Sequence, residues 1–240
     1  MAIICPNPGE LAVAAAGKVA AYVNGHPGSL LCLAAGETPM AMLRELVTMQ
    51  GRGLVDLRSV YYVGLDEWVG LGRADTGSCG QMMADTFYGP AGIPADRLRA
   101  FDGLAPSPEA ECQAVAEWID LRGGIGLAVL GIGMNGHVGF NEPGGASGKA
   151  CDSVDLDTVT IAASAKYFGR SRPVARGMTV TLINLLKSDK VFLLASGAHK
   201  ADIIRRAFGQ PPDTAVPASL LQGHPALEVL LDRDAAGACL

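Results

Sequence analysis

The sequence has few of the features that mark secreted, membrane or nucleic-acid-binding proteins. Its six cysteines form no C-x-x-C pair and no metal-like spacing, so we expect buried free thiols. No basic segment precedes an apolar run at the N-terminus, and Lys18 interrupts the alanine-rich stretch, which argues against a signal peptide or membrane span. The net charge of −5 gives no general attraction for nucleic acid or anionic membranes. We therefore expect a cytoplasmic protein that binds any anionic ligand through locally placed groups.

Apolar sequence is abundant, in short runs that alternate with longer helical patterns. Hydrophobic residues make up 49% of the 240 residues, which is enough for a sizeable core. Because there is no linker, low-complexity tract or internal repeat, residues 1–240 are predicted to form a single domain. The alternation predicts a Rossmann-like α/β fold: a doubly wound, mainly parallel sheet with helices on both faces.

The predicted elements follow from these runs and from turn and capping residues. The predicted strands are Ser29–Ala34, Ser59–Leu65, Leu98–Phe101, Leu127–Ile132, Lys190–Ser196 and Leu227–Leu231. The predicted helices are Pro8–Asn24, Thr38–Gln50, Cys79–Tyr88, Pro108–Arg122 and His199–Phe208. Polar residues that can carry chemistry follow the carboxyl ends of four strands, where open α/β sheets bind ligands.

The most distinctive segment is Gly131–Gly144, which directly follows a predicted strand. Five glycines and a proline in fourteen residues indicate a compact loop with unusual backbone freedom. His137 has two possible orienting groups nearby, Asn135 and Glu142, and an imidazole held by a carboxylate can move protons near neutral pH. A loop histidine with an ordinary structural role is the alternative. A metal site is not favoured, because no second His or Cys lies at ligand spacing.

Two carboxylates, Asp66 and Glu67, stand at the end of the second predicted strand. Strand alternation predicts that Asp66 projects into the crevice at the sheet edge while Glu67 points to the other side. A carboxylate shielded from water has a raised pKa, which suits a general base. A turn or helix-capping pair is the alternative for these two residues.

The segment Ala35–Pro39 connects a predicted strand to a predicted helix. Free N–H groups at the helix start can cradle a phosphate, and Gly36 allows close approach. A plain turn capped by Thr38 is the alternative, and the segment matches neither a Walker A loop nor a dinucleotide fingerprint. Lys200 is one candidate cation for such a phosphate. A second group of cations comprises Lys166, Arg170, Arg172 and Arg176.

Taken together, these motifs resemble the glucosamine-6-phosphate deaminase/isomerase family, which is related to the 6-phosphogluconolactonases. The resemblance runs from about Leu30 to Asp232, and its most specific part is Asn-Gly-His…Asn-Glu-Pro-Gly within Gly131–Gly144. Four further segments match in the same order: Leu33–Pro39, Leu65–Leu71, Ser196–Lys200 and Val216–Ser219.

The resemblance implies an aldose–ketose isomerisation of a small amino-sugar phosphate, coupled to loss of ammonia, with no metal or redox cofactor. It implies that Asp66 is the base that moves a proton between C2 and C1. His137 would help to open the pyranose ring, with Glu142 holding its imidazole and Asn135 orienting it. The residues that match the family's phosphate site are Gly36, Glu37, Thr38 and Lys200.

Three departures from the family pattern bear on the substrate. Lys166 stands where many deaminases have a phosphate-binding arginine, so Arg172 is an alternative for that contact. Trp68 follows Asp-Glu where tyrosine is commoner, and Ser78-Cys79 replaces Ser-Tyr. These features resemble the galactosamine-6-phosphate deaminase branch, so the sequence leaves the sugar epimer open.

Two other functions stay open on the sequence alone. A 6-phosphogluconolactonase usually carries arginine soon after Asp-Glu, where this chain has Trp68, and lacks Asn-Glu-Pro-Gly. A non-catalytic sugar-phosphate sensor is the second, and the combination of Asp66, His137 and Glu142 argues against it. Family members range from monomers to hexamers, so a homo-oligomer is compatible with the resemblance.

Overall fold

A seven-stranded sheet forms the centre of the protein in the computed structural model, which describes residues 2–145, 147–168 and 174–237. The strands are β1 (Ala2–Cys5), β2 (Leu30–Leu33), β3 (Tyr61–Gly64), β4 (Asp66–Trp68), β5 (Leu98–Arg99), β6 (Leu127–Gly131), β7 (Cys151–Asp155), β8 (Arg176–Val180), β9 (Lys190–Ala195) and β10 (Leu227–Asp232). The large sheet has the order β1-β10-β9-β6-β2-β3-β5, and its neighbouring strands are all parallel. The predicted parallel α/β architecture is confirmed.

Each helix follows a strand along the chain. They are α1 (Pro8–Gly25), α2 (Glu37–Gly51), α3 (Cys79–Met83), α4 (Pro108–Asp120), α5 (Thr158–Phe168), α6 (Leu182–Leu185), α7 (Ala201–Phe208) and α8 (Arg233–Ala236). The starts of α1 and α4 follow from local sequence: Asn7 and Ser107 accept hydrogen bonds from the first turn, and a proline occupies the first helical position. The predicted helix Cys79–Tyr88 is instead α3 followed by a π-helical turn over Ala84–Tyr88. Each helix in the described part of the chain is too short or too polar to cross a membrane.

The sheet is covered on both faces, as its residue pattern requires. Along β2, Leu30 and Cys32 join one hydrophobic cluster while Leu31 and Leu33 join the other. The first cluster includes buried residues of α4 and α7, and the second includes those of α1 and α2. All four residues of β2 are buried, which explains why its sequence is a continuous apolar run.

Five cysteines are buried free thiols, as predicted, and Cys239 lies outside the described residues. The buried five are Cys5, Cys32, Cys79, Cys112 and Cys151.

A second, three-stranded antiparallel sheet of order β4-β8-β7 was not predicted from the sequence. The predicted strand Ser59–Leu65 ended just before Asp66, whereas the structure begins β4 at Asp66 and pairs that residue with Thr179 of β8. The strands β7 and β8 mix polar and apolar residues without strict alternation, so they carry little strand signal. This small sheet brings Asp66 and the helix α5, which connects to it, to the carboxyl ends of the parallel strands.

Candidate active site

A cavity of about 190 Å³ opens at the carboxyl ends of the parallel strands. Its walls come from Ala34–Pro39 after β2, Leu65 and Asp66 after β3, and Gly131–Met134 at the end of β6. The helix α5 contributes a further wall, and the segment after β9 contributes Lys200. The cavity therefore lies where the sequence placed the ligand site.

His137 lies in a hydrogen-bonded group built by its own loop. The backbone N–H of His137 donates to Asn135 Oδ1 at 3.1 Å, and Asn135 Nδ2 donates to Glu142 Oε2 at 3.0 Å. The same Glu142 oxygen lies 3.4 Å from His137 Nδ1. Burial raises the pKa of Glu142. The hydrogen bond from His137, the charge of that ring and the hydrogen bond from Asn135 lower it by more, so the pKa of Glu142 is lowered overall. The structure thus brings together the three residues that the sequence singled out, around an ionised carboxylate.

Asp66 is partly exposed to the cavity at the first position of β4. Burial raises its pKa to about 7, although a hydrogen bond from the Cys79 thiol opposes the shift. The negative charge of Glu67 adds to the increase. A carboxylate with this pKa is an effective general base near neutral pH.

Glu67 is 2% exposed and supports the neighbouring backbone. Its carboxylate accepts backbone N–H groups from Trp68 at 2.9 Å, Cys79 at 3.0 Å and Gly80 at 2.7 Å. These bonds hold the start of α3, and with it Cys79, beside Asp66. Burial raises the pKa of Glu67 to about 7 despite the three N–H donors.

The helix α2 presents its N-terminus to the cavity. Gly36 is the N-cap residue with φ 139°, and no side chain caps the first turn, so backbone N–H groups there are available to an anion. The predicted N-cap, Thr38, instead lies within the first turn, because the chain changes direction at Gly36. Gly36, Glu37 and Thr38 all line the cavity.

Two lysines lie near this helix end. Lys200 Nζ donates to the carbonyl oxygen of Ile132 at 2.7 Å, and Lys166 Nζ lies 3.6 Å from Glu37 Oε1. Burial lowers the pKa of Lys200, and the positive charge of Lys166 lowers it further. Both lysines line the cavity, so this end of it is suited to an anion.

The other cations of the predicted cluster are placed differently. Arg170 and Arg172 lie outside the described residues. The alternative that Arg172, rather than Lys166, contacts the phosphate therefore stays a prediction. Arg176 Nη2 donates to Glu109 Oε1 at 2.7 Å and is not part of the cavity wall.

The contribution of α5 to the site was not predicted from the sequence. Thr160, Ser164 and Tyr167 of this helix line the cavity, and Thr160 Oγ1 is 2.8 Å from His137 Nδ1. Their i, i+4, i+7 spacing in an alanine-rich segment is a helical pattern that could have identified them. Within the described ranges, no three His, Cys, Asp or Glu side chains are grouped to hold a metal ion.

The chain is similar to known proteins over nearly its whole length. Residues 8–229 match the family model of glucosamine-6-phosphate isomerases/6-phosphogluconolactonase. A glucosamine-6-phosphate deaminase of Halothermothrix orenii is 39% identical over 98% of both chains, and one of Lachnoclostridium phytofermentans is 38% identical over 92% of this chain and 94% of its own.

Solved structures extend the comparison to the fold. A monomeric glucosamine-6-phosphate deaminase superposes with a TM-score of 0.94 at 32% identity over 98% of both chains. A 6-phosphogluconolactonase from Trypanosoma cruzi, 19% identical over 99% of this chain and 96% of its own, shares the fold with a TM-score of 0.82. The chain therefore belongs to the glucosamine-6-phosphate isomerase/6-phosphogluconolactonase family.

Proposed function

We propose that this protein is a hexosamine-6-phosphate deaminase. It converts glucosamine-6-phosphate or galactosamine-6-phosphate, with water, to the corresponding ketohexose-6-phosphate and ammonia. The observation that carries the proposal is that one cavity is lined by Asp66, His137, Lys166 and Lys200 together. A base, an acid–base imidazole and an anion-binding end are the groups that this reaction requires.

In the first step, His137 opens the pyranose ring. Its imidazole takes the proton of the C1 hydroxyl and delivers it to the ring oxygen as the ring C–O bond breaks, which leaves the C1 aldehyde. The ionised Glu142 next to Nδ1 stabilises the imidazolium form of the ring during this transfer. Asn135 bridges the His137 backbone and the Glu142 carboxylate, and so fixes their relative orientation.

In the second step, Asp66 removes the proton from C2 and delivers it to C1. The electron pair released at C2 reduces C1 while C2 becomes an iminium, and water then replaces the nitrogen as ammonia leaves. The carboxylate that takes the C2 proton returns it to C1, and the substrate's ammonium group gives one proton to the C1 oxygen, so the open-chain aldehyde and the C2 iminium have the same atoms and charge. A pKa of about 7 lets Asp66 serve as base and then as acid at neutral pH.

The phosphate anchors the substrate away from the reacting carbons. The first turn of α2, Lys200 and Lys166 offer N–H groups and charges to it. Binding energy from this remote group positions C1 and C2 at Asp66. We further propose that the enzyme works in the cytoplasm on this small-molecule substrate.

The test is an ammonia-release assay with glucosamine-6-phosphate and galactosamine-6-phosphate at equal concentrations, run beside hydrolysis of 6-phosphogluconolactone. We expect ammonia from at least one amino sugar and no lactone hydrolysis above the uncatalysed rate. The relatives named glucosamine-6-phosphate deaminase support the first epimer. Trp68 and Cys79, which line the cavity and resemble the galactosamine branch, support the second. Lactone hydrolysis without ammonia release would replace the proposal with a lactonase.

Replacing Lys200 with methionine is expected to raise KM for the amino-sugar phosphate by about 10- to 100-fold, with a smaller change in kcat. The reason is that the variant loses a charge-assisted contact to the phosphate, worth about 1.5–3 kcal/mol, but keeps the acid–base groups. Steady-state ammonia release measures both constants. Lys187→Met, at an exposed lysine that is not part of the cavity wall, is the matched control. An unchanged KM in Lys200→Met would show that the phosphate binds elsewhere.

A further inference from the structure

The Thr160 hydroxyl is the only contact with a His137 ring nitrogen, among the described residues, that comes from outside the Gly131–Gly144 loop. Thr160 is 3% exposed and lies in the first turn of α5, which lines the cavity. Its Oγ1 is 2.8 Å from His137 Nδ1, closer than the Glu142 oxygen at 3.4 Å. A buried hydroxyl at this distance forms a hydrogen bond with the imidazole.

The direction of that hydrogen bond follows from the donors available. The same ring nitrogen, His137 Nδ1, also faces Glu142 Oε2 at 3.4 Å. Because an ionised carboxylate only accepts, the ring nitrogen that faces it carries the proton. Thr160 Oγ1 must then accept from His137 Nδ1, which carries a proton. In the neutral ring, Nε2 is therefore the nitrogen that gains and loses the proton.

We propose that Thr160 is a positioning residue for the ring-opening step, because its hydroxyl fixes the Nδ1–H form of His137. The kinetic part of its test rests on the function proposed above. Which nitrogen of the neutral His137 ring carries the proton does not depend on any substrate. Helix α5 joins two parts of the site, since it carries both Thr160 and Lys166 to the cavity.

The first measurement uses the wild-type protein without substrate. The ¹⁵N chemical shifts of the His137 ring are recorded at a pH where the ring is neutral, with His137→Gln used to assign the signals. We expect Nδ1 to have the shift of a protonated nitrogen and Nε2 that of an unprotonated one. A neutral ring with its proton on Nε2 would overturn the proposal, whatever reaction the enzyme catalyses.

The second measurement compares Thr160→Val, which keeps the shape but removes the hydroxyl, with Thr160→Ser, which keeps the hydroxyl. Thr160→Val is expected to lower kcat by about tenfold, with KM changed less than about threefold, and to give a mixture of the two ring forms. Thr160→Ser is expected to restore kcat to within about threefold of wild type and to keep Nδ1 protonated. Thr158→Val, at an exposed position on the same helix, is the matched control.

The outcomes separate the two proposals. If Thr160→Val keeps both the wild-type kcat and the wild-type ring form, Thr160 does not position His137. The same conclusion follows if Thr160→Ser is as impaired as Thr160→Val, since only packing would then matter. If the wild-type protein releases no ammonia from either sugar, the proposed reaction fails while the NMR result still decides the role of Thr160.

Discussion

Replacing Asp66 with asparagine is expected to lower kcat for ammonia release by about 10³-fold. Asparagine has nearly the same shape as aspartate, but its amide cannot accept the C2 proton. The substrate is anchored by its phosphate at the other groups of the cavity, so KM is expected to change less than about threefold. Steady-state ammonia release and substrate binding by calorimetry measure these quantities.

The pH dependence of the wild-type enzyme is part of the same prediction. Burial raises the pKa of Asp66 to about 7, and only the ionised carboxylate can act as the base. The rate at low substrate concentration is therefore expected to rise about tenfold per pH unit below pH 7 and to level off above it. An acid limb centred near pH 4, the range of an exposed aspartate, would contradict this role for Asp66.

A matched control distinguishes a lost base from a lost fold. Asp189 is exposed and is not part of the cavity wall, so Asp189→Asn is expected to retain wild-type kcat. Circular dichroism of both variants should resemble the wild type. If Asp66→Asn retained more than about a tenth of the wild-type kcat while properly folded, the base would be a different group.

The parallel sheet was predictable because its strands are buried on both faces. Strand β2 and strand β6 consist almost entirely of apolar residues, so short runs bounded by glycine and charged residues identify them. The strand β1 was not predicted, although its four residues, Ala2–Cys5, are apolar and lie at the edge of the sheet. A strand this short offers no periodicity to recognise.

The antiparallel sheet was not predictable for a different reason. Its strand β4 is three residues long, and Asp66 and Glu67 in it are charged residues of a kind depleted in strands. Its stability comes from long-range pairing with β8, and no local pattern records that pairing. Asp66 was therefore predicted from the sequence as a candidate site residue, but the strand β4 that holds it was not predicted.

The site shows the same division between local and long-range information. Asn135, His137 and Glu142 lie within one loop, so sequence spacing alone brought them together, and the structure places them in contact. The contact between Thr160 and His137 joins residues that are 23 positions apart and could be seen only in three dimensions. Contacts made across elements were the ones that sequence reasoning missed.

The second large effect is expected from a residue with no side chain. Gly133 packs directly against the imidazole of His137, and a Cβ at this position would lie 2.3 Å from Nε2, 2.4 Å from Cδ2 and 2.5 Å from Cε1. These distances are far below van der Waals contact, so either the ring or the loop must move. The loop is held by hydrogen bonds from Gly133 N to His137 O at 2.9 Å and from Gly136 N to Gly133 O at 3.1 Å.

Gly133→Ala is therefore expected to displace the His137 ring and to lower kcat by about 10²-fold, the contribution of a positioned acid–base group. The φ angle of Gly133 is not in the left-handed region, so alanine meets no backbone penalty there and the fold is expected to persist. Gly148→Ala is the matched control, because a Cβ on this exposed glycine meets no atom within 4 Å. Wild-type kcat in a folded Gly133→Ala protein would mean that the reaction does not need the imidazole in its observed position.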